Sequence, residues 1–192
     1  MKKFLAFTLI FFSTISNINA EEIKRIFVGN KDAKITIIAF ESLTCSHCAN
    51  FHKDVYPELK KKYLDTGLAK IEFRHFPLDI AAFNASKVAQ CNNDGDSKIL
   101  NTLFANQQKW VKGSSAAEAN ENLKKFLTSE GFNIDFEACI NDNKIEDFVL
   151  NDRIDGVKKF KVNATPTIII NDKKFEKTLN FKNLKKAIEK LI

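Results

Sequence analysis

The sequence predicts an α/β fold interrupted by an all-helical insertion, and three observations carry that reading. A continuous apolar, β-branched run, Ala33 to Glu41, is followed by helical spacing and then a second strand run, the pattern of a strand–helix–strand unit. The stretch from Leu78 to about Asn141 then holds amphipathic helical pieces and no strand run. After it the strand pattern returns at Thr165 to Asp172, and a helix closes the chain. At 192 residues and 44% hydrophobic composition, one domain with a sizeable insertion can bury a proper core.

Taken in order, the first twenty residues differ from the rest. Lys2 and Lys3 precede the apolar run Phe4 to Phe12, and polar residues lead to Ala20 and an acidic pair. That layout predicts a cleaved secretory signal over residues 1–20. The apolar run is too short for a membrane anchor, which needs about 20 residues. Losing the signal removes only Lys2 and Lys3 among the charges, so the remaining chain stays mildly basic. Its lysines alternate with acids along helical segments and form no cluster with interleaved aromatics, which argues against nucleic acid as a partner.

Ala33 to Glu41 reads as a strand buried on both faces. Phe51, Val55, Leu59 and Tyr63 recur every fourth residue and predict a helix, and Ala69 to Phe76 predicts a second strand after the turn Asp65-Thr66-Gly67. The two strands should run parallel. The insertion is predicted as helical pieces at Ile80 to Cys91, Ser97 to Trp110, Ser115 to Ser129 and Asp135 to Asn141, with Phe83, Phe104, Trp110 and Phe126 as its core. A helix near Lys144 to Phe160, a strand within 165–172, a short strand through Lys174 to Lys177 and a helix Phe181 to Ile192 complete the pattern. The domain boundaries that follow are 21–77 with 142–192 for the α/β part and 78–141 for the inserted helical domain.

All four cysteines, Cys45, Cys48, Cys91 and Cys139, lie beyond the signal, where export lets disulfides persist. Four cysteines allow three pairings. The pairing read here is Cys45 with Cys48 and Cys91 with Cys139, the open alternative for the second pair being two buried reduced thiols. Cys91 and Cys139 stand at opposite ends of the insertion, and a bridge closing a loop of about fifty residues would contribute ~4 kcal/mol in the chain-entropy account.

Thr44 to Cys48 reads T-C-S-H-C. Cys45 follows the first long strand and opens the first helix, where free N–H groups and the helix dipole favour a thiolate. His47, when protonated, would add positive charge and tune Cys45 further. Cys48, one turn deeper, should be more buried and less reactive.

The stretches F-E-S-L-T-C-S-H-C-A-N-F-H, R-H-F-P-L and V-N-A-T-P-T-I-I-I-N-D together resemble the DsbA family of thiol:disulfide oxidoreductases, over essentially the whole chain beyond the signal. The resemblance implies a thioredoxin-like fold with a helical insertion, Cys45 and Cys48 as the catalytic pair, and a cis-proline at Pro166. It also implies substrate binding along Thr165 and Pro166. Function would then be donation of the Cys45–Cys48 disulfide to newly exported reduced proteins through a mixed disulfide at Cys45, in the periplasm. Reoxidation would come from a membrane-bound, quinone-linked reoxidase of DsbB type. No cofactor and no metal is implied. Two alternatives stand beside it: a disulfide isomerase or reductase of the same fold, and a metal-binding protein using Cys45, Cys48 and His52. One departure is plain: the acid that thioredoxin-like proteins place six residues before the first cysteine is Ala39 here. Glu41, on the same strand face, is either an offset proton acceptor or a strand-end side chain reaching solvent.

Overall fold

The computed structural model describes residues 22–192, so the expected signal lies outside the described residues. Five strands form one sheet in the order β1-β3-β2-β4-β5. They are β1 Phe27–Gly29, β2 Ile35–Glu41, β3 Ala69–His75, β4 Thr167–Ile170 and β5 Lys173–Lys174. The central strand β2 pairs parallel with β3, Ile35 opposite Ala69, and antiparallel with β4, Ala39 opposite Ile168.

Because side chains alternate along β2, Ile37 and Ala39 enter one core while Ile38 and Phe40 enter another. The first core also takes Cys48, Phe51 and Leu59 from the segment after β2, and Leu184 from the last helix. That segment is α1 Ser46–Asp54, α2 Tyr56–Leu59 and a π turn Lys60–Leu64, where the sequence predicted one continuous helix. The break falls at Val55, before a Pro57 that sits in the first turn of α2, where its missing N–H costs nothing. The second core, on the opposite face, joins Ile38, Phe40, Phe76, Val162 and Ile169. Gly156 of α8 (Asn143–Phe160) lies so close to the Phe40 ring that a methyl group there would press on it.

Between β3 and α8 the described residues form α3 Ile80–Gln90, α4 Lys98–Ala105, α5 Gln107–Trp110, α6 Ala116–Ser129 and α7 Phe136–Asn141. Phe104, Trp110 and Phe126 are buried there, whereas Phe83 is half-buried. Cys91, just past α3, and Cys139, in α7, form a disulfide with Cα atoms 5.4 Å apart.

Other readings differ too: the piece expected over Ser97 to Trp110 forms two helices, α4 and α5. Strand β1 was not foreseen: it pairs antiparallel with β3, Val28 opposite Ile71, and ends at Gly29, whose φ of 107° and close approach to the Ala69 carbonyl exclude a side chain. Strand β5 comes earlier and shorter than Lys174 to Lys177, with Lys173 opposite Ile170 and Lys174 opposite Ile169. The last helix, α9 Phe181–Ile188, stops short of the C-terminus once Leu184 and Ile188 have been buried. Among the described residues no helix is long and apolar enough to cross a membrane.

Candidate active site

Strand β2 delivers Glu41, and four residues later Cys45 occupies the N-cap of α1 with extended backbone, φ −77° and ψ 118°. A serine, threonine or aspartate there would turn its side-chain oxygen onto the first free N–H groups. Here a sulfur takes that place, and no side chain among the described residues caps the helix. The Cys45 thiol is accordingly lowered from 9.0 to about 5. The largest cause is the Cys48 thiol beside it, followed by the opposing effect of burial, then Thr165 and the backbone N–H groups of Cys48 and His47. The His47 backbone N–H is among these causes, and its side chain stands exposed.

Cys48 is the opposite case. It is fully buried, and burial pushes its thiol far up, helped by Cys45 and by the charge of Glu41. Both cysteines are free thiols in this structure. Two sulfurs three residues apart thus differ sharply: one half-exposed and readily ionised, one enclosed and held protonated.

The chain between α8 and β4 brings the third part. The Thr165–Pro166 bond is cis, and the Cys45 Sγ lies 3.4 Å from the Thr165 carbonyl oxygen across 120 residues of sequence. Cys91 and Cys139 are bonded to each other, apart from this pair.

Glu41 corrects an expectation. It does not reach solvent: it is 4% exposed, and its Oε2 lies 2.9 Å from the His52 Nε2. Burial raises its carboxyl above the usual range, with His52 opposing. Glu41 ends the central strand of the sheet, with β3 on one side and β4 on the other, not an edge strand open to water. His52 is correspondingly turned inward and stacked on Phe104, ring centroids 4.1 Å apart. Its Nε2 therefore faces a carboxylate, and among the described residues no three His, Cys, Asp or Glu side chains converge as a metal would need.

Sequence reasoning missed two further groups. Asp79 caps α3 through the Ala82 N–H and also accepts a 2.6 Å bond from the Thr44 hydroxyl, next to Cys45. Nothing in the sequence pointed to the second partner, 35 residues back. Gln107 of α5 donates from one nitrogen to both the Leu43 and Cys45 carbonyls, a contact with no sequence signal at all.

Comparison with known proteins agrees with this arrangement. The family described as Thioredoxin matches residues 21–190. A Rickettsia bellii protein, provisionally named a protein-disulfide oxidoreductase, is 30% identical over 169 residues, covering 86% of this chain and 63% of that one. Disulfide bond formation protein D of Bacillus subtilis is 28% identical over 175 residues, covering 85% of this chain and 75% of that protein. The chain spans about three-fifths of the length of the rickettsial relatives it matches. The crystal structure of Wolbachia pipientis alpha-DsbA1 superposes with a TM-score of 0.77 at 30% identity, covering 87% of this chain and 90% of that one. With its helical segment between β3 and α8 and its cysteine pair beside a cis-proline, the chain belongs to the thioredoxin family and, within it, to the DsbA-like proteins.

Proposed function

We propose that this protein is an exported thiol:disulfide oxidoreductase that donates its Cys45–Cys48 disulfide to reduced proteins in the periplasm. The observation that carries the reading is the opposite push on the two thiols, Cys45 lowered to about 5 and Cys48 raised. Stabilising the Cys45 thiolate favours the reduced pair, and a pair that prefers to be reduced oxidises others.

In the oxidised enzyme a substrate thiolate attacks the Cys45 Sγ. The Cys45–Cys48 bond breaks, a substrate–Cys45 disulfide forms, and Cys48 leaves as a thiolate that takes up a proton at once because its environment disfavours charge. Glu41, whose raised carboxyl lies near enough for its charge to act on Cys48, is the group placed to supply that proton. A second substrate thiolate then attacks the substrate sulfur of the mixed disulfide, and Cys45 departs as the stabilised thiolate. Two electrons pass from substrate to enzyme, and the substrate gains one disulfide. Thr165 and Pro166, beside Cys45, offer backbone to an extended substrate segment. A membrane-bound, quinone-linked reoxidase of DsbB type would accept the two electrons and restore the Cys45–Cys48 bond.

The test is oxidative refolding: the fully oxidised protein is mixed with a reduced, unfolded protein that needs one disulfide. The expected result is stoichiometric transfer, with the enzyme recovered as the Cys45, Cys48 dithiol. A substrate that stays reduced contradicts the proposal. In the same assay Glu41→Gln should slow transfer several-fold and flatten its pH dependence; an unchanged profile would remove Glu41 from the proton path.

A further inference from the structure

The loop that presents the nucleophile, residues 42–45, is held from outside the sheet by two helices of the segment between β3 and α8. On one side stands the start of α3. Its N-cap Asp79 accepts the Thr44 hydroxyl at 2.6 Å, and the Leu78 N–H just before it reaches the Ser42 hydroxyl at 3.3 Å. On the other side stands Gln107, the first residue of α5. Its Nε2 lies 2.7 Å from the Leu43 carbonyl oxygen and 3.1 Å from that of Cys45, the two carbonyls that bracket Thr44. An amide nitrogen carries two hydrogens, and here each meets one acceptor. Two facing carbonyls also fix which end of the side chain is nitrogen, since the amide oxygen would be repelled there.

We propose that Gln107 is a positioning residue for the nucleophile: one amide group holds both carbonyls and thereby fixes where Cys45 places its sulfur. Leu43 is buried, so its carbonyl needs a partner inside the protein, and Gln107 supplies it. The Cys45 carbonyl is already engaged by the Cys48 and Ala49 N–H groups at 3.1 Å each, the bonds that close the first turn of α1. Gln107 adds a third donor to that carbonyl and ties the turn to the loop before it. Its own base is firm. The Val111 N–H bonds the Gln107 carbonyl at 2.9 Å, and the adjoining Trp110 is buried with its indole N–H on the Leu103 carbonyl. The helical segment therefore does more than stand beside the cysteine pair. It sets the orientation of the N-cap, and with it the alignment of Sγ on the His47 and Cys48 N–H groups that stabilise the thiolate.

The inference serves the disulfide-donation reading but is tested without any substrate, so the two fail separately. Thiolate absorbance of the reduced protein is followed against pH in wild type, Gln107→Met and Gln107→Glu, with thermal unfolding recorded on the same samples. Gln107→Met keeps the side chain's length and removes both donors; Gln107→Glu keeps the shape and turns an anion on the carbonyls. The expected result is a Cys45 midpoint shifted upward in Gln107→Met by roughly half a unit or more, and further in Gln107→Glu. A correspondingly more reducing Cys45–Cys48 potential should accompany each shift. Midpoints and potentials equal to wild type in Gln107→Met, whatever the change in unfolding temperature, would overturn the proposal and leave Gln107 a packing residue. Should Gln107→Glu fold poorly, Gln107→Met alone decides.

Discussion

Cys45→Ser should abolish thiol–disulfide exchange, whereas Cys48→Ser should accumulate a covalent complex with a disulfide-bonded substrate. The two outcomes differ because the two sulfurs do. Cys45 is half-exposed, with its thiol lowered to about 5, so it is both the accessible sulfur and the better leaving group. Cys48 is fully buried, beyond the reach of an incoming polypeptide. With Cys48 gone, the Cys45 thiolate attacks a substrate disulfide and releases one substrate thiolate, no Cys48 thiol remains to resolve the mixed disulfide, and mass spectrometry should find the adduct. Alkylation of the reduced wild-type protein should modify Cys45 at full rate at neutral pH, with the rate falling by half near pH 5. The same shift bears on stability. A thiol depressed on folding stabilises the folded, reduced form fully above its unfolded value of 9.0 and loses that contribution as pH falls through about 5. The reduced protein should therefore gain stability between those limits. Comparable residual activity in both serine variants would sink the assignment of roles.

Removing the second bridge has the next largest effect. Cys91 and Cys139 are separated by 48 positions, and opening that loop in the unfolded chain costs about 4 kcal/mol of stability in the chain-entropy account. Against the ~5–15 kcal/mol available to an ordinary domain, the loss is a large share. The bridge ties the end of α3 to α7; Cys139 is fully buried in the main core and Cys91 packs against it, so alanine at both sites also removes some packing at Cys139. Urea unfolding of the Cys91→Ala/Cys139→Ala variant should show a loss of that order, with exchange at Cys45 retained in the folded fraction. A loss below about 1 kcal/mol would mean that loop closure contributes little here.

How much of this was legible in the sequence depends on the range of each interaction. Strand β2 was readable because a strand at the centre of a sheet is apolar on both faces, and Ile35 to Phe40 are apolar at almost every position. The Cys45–Cys48 pair was readable because thiol exchange needs two cysteines close together, and two within one helical turn are visible in the sequence. Strand β1 was not: three residues carry no period, and what holds Phe27–Gly29 in place is pairing with β3 more than forty residues away. The burial of Glu41 was equally hidden. A glutamate at the end of an apolar run normally reaches water, and here His52, one residue past Phe51 on the next helix, turns in to meet it. Gln107 shows the limit most clearly, since a glutamine at a helix start offers no hint that its amide will cross 62 residues to the Cys45 carbonyl.

Disulfide donation requires that the Cys45–Cys48 pair prefer to be reduced and so drive disulfides into other proteins. That preference is tested most directly by the pair's redox state at equilibrium with glutathione, read by acid-quenched alkylation and mass. In a buffer poised at about −200 mV the pair should be predominantly dithiol while Cys91–Cys139 stays bonded. A Cys45–Cys48 pair that remains predominantly disulfide in that buffer would contradict the account.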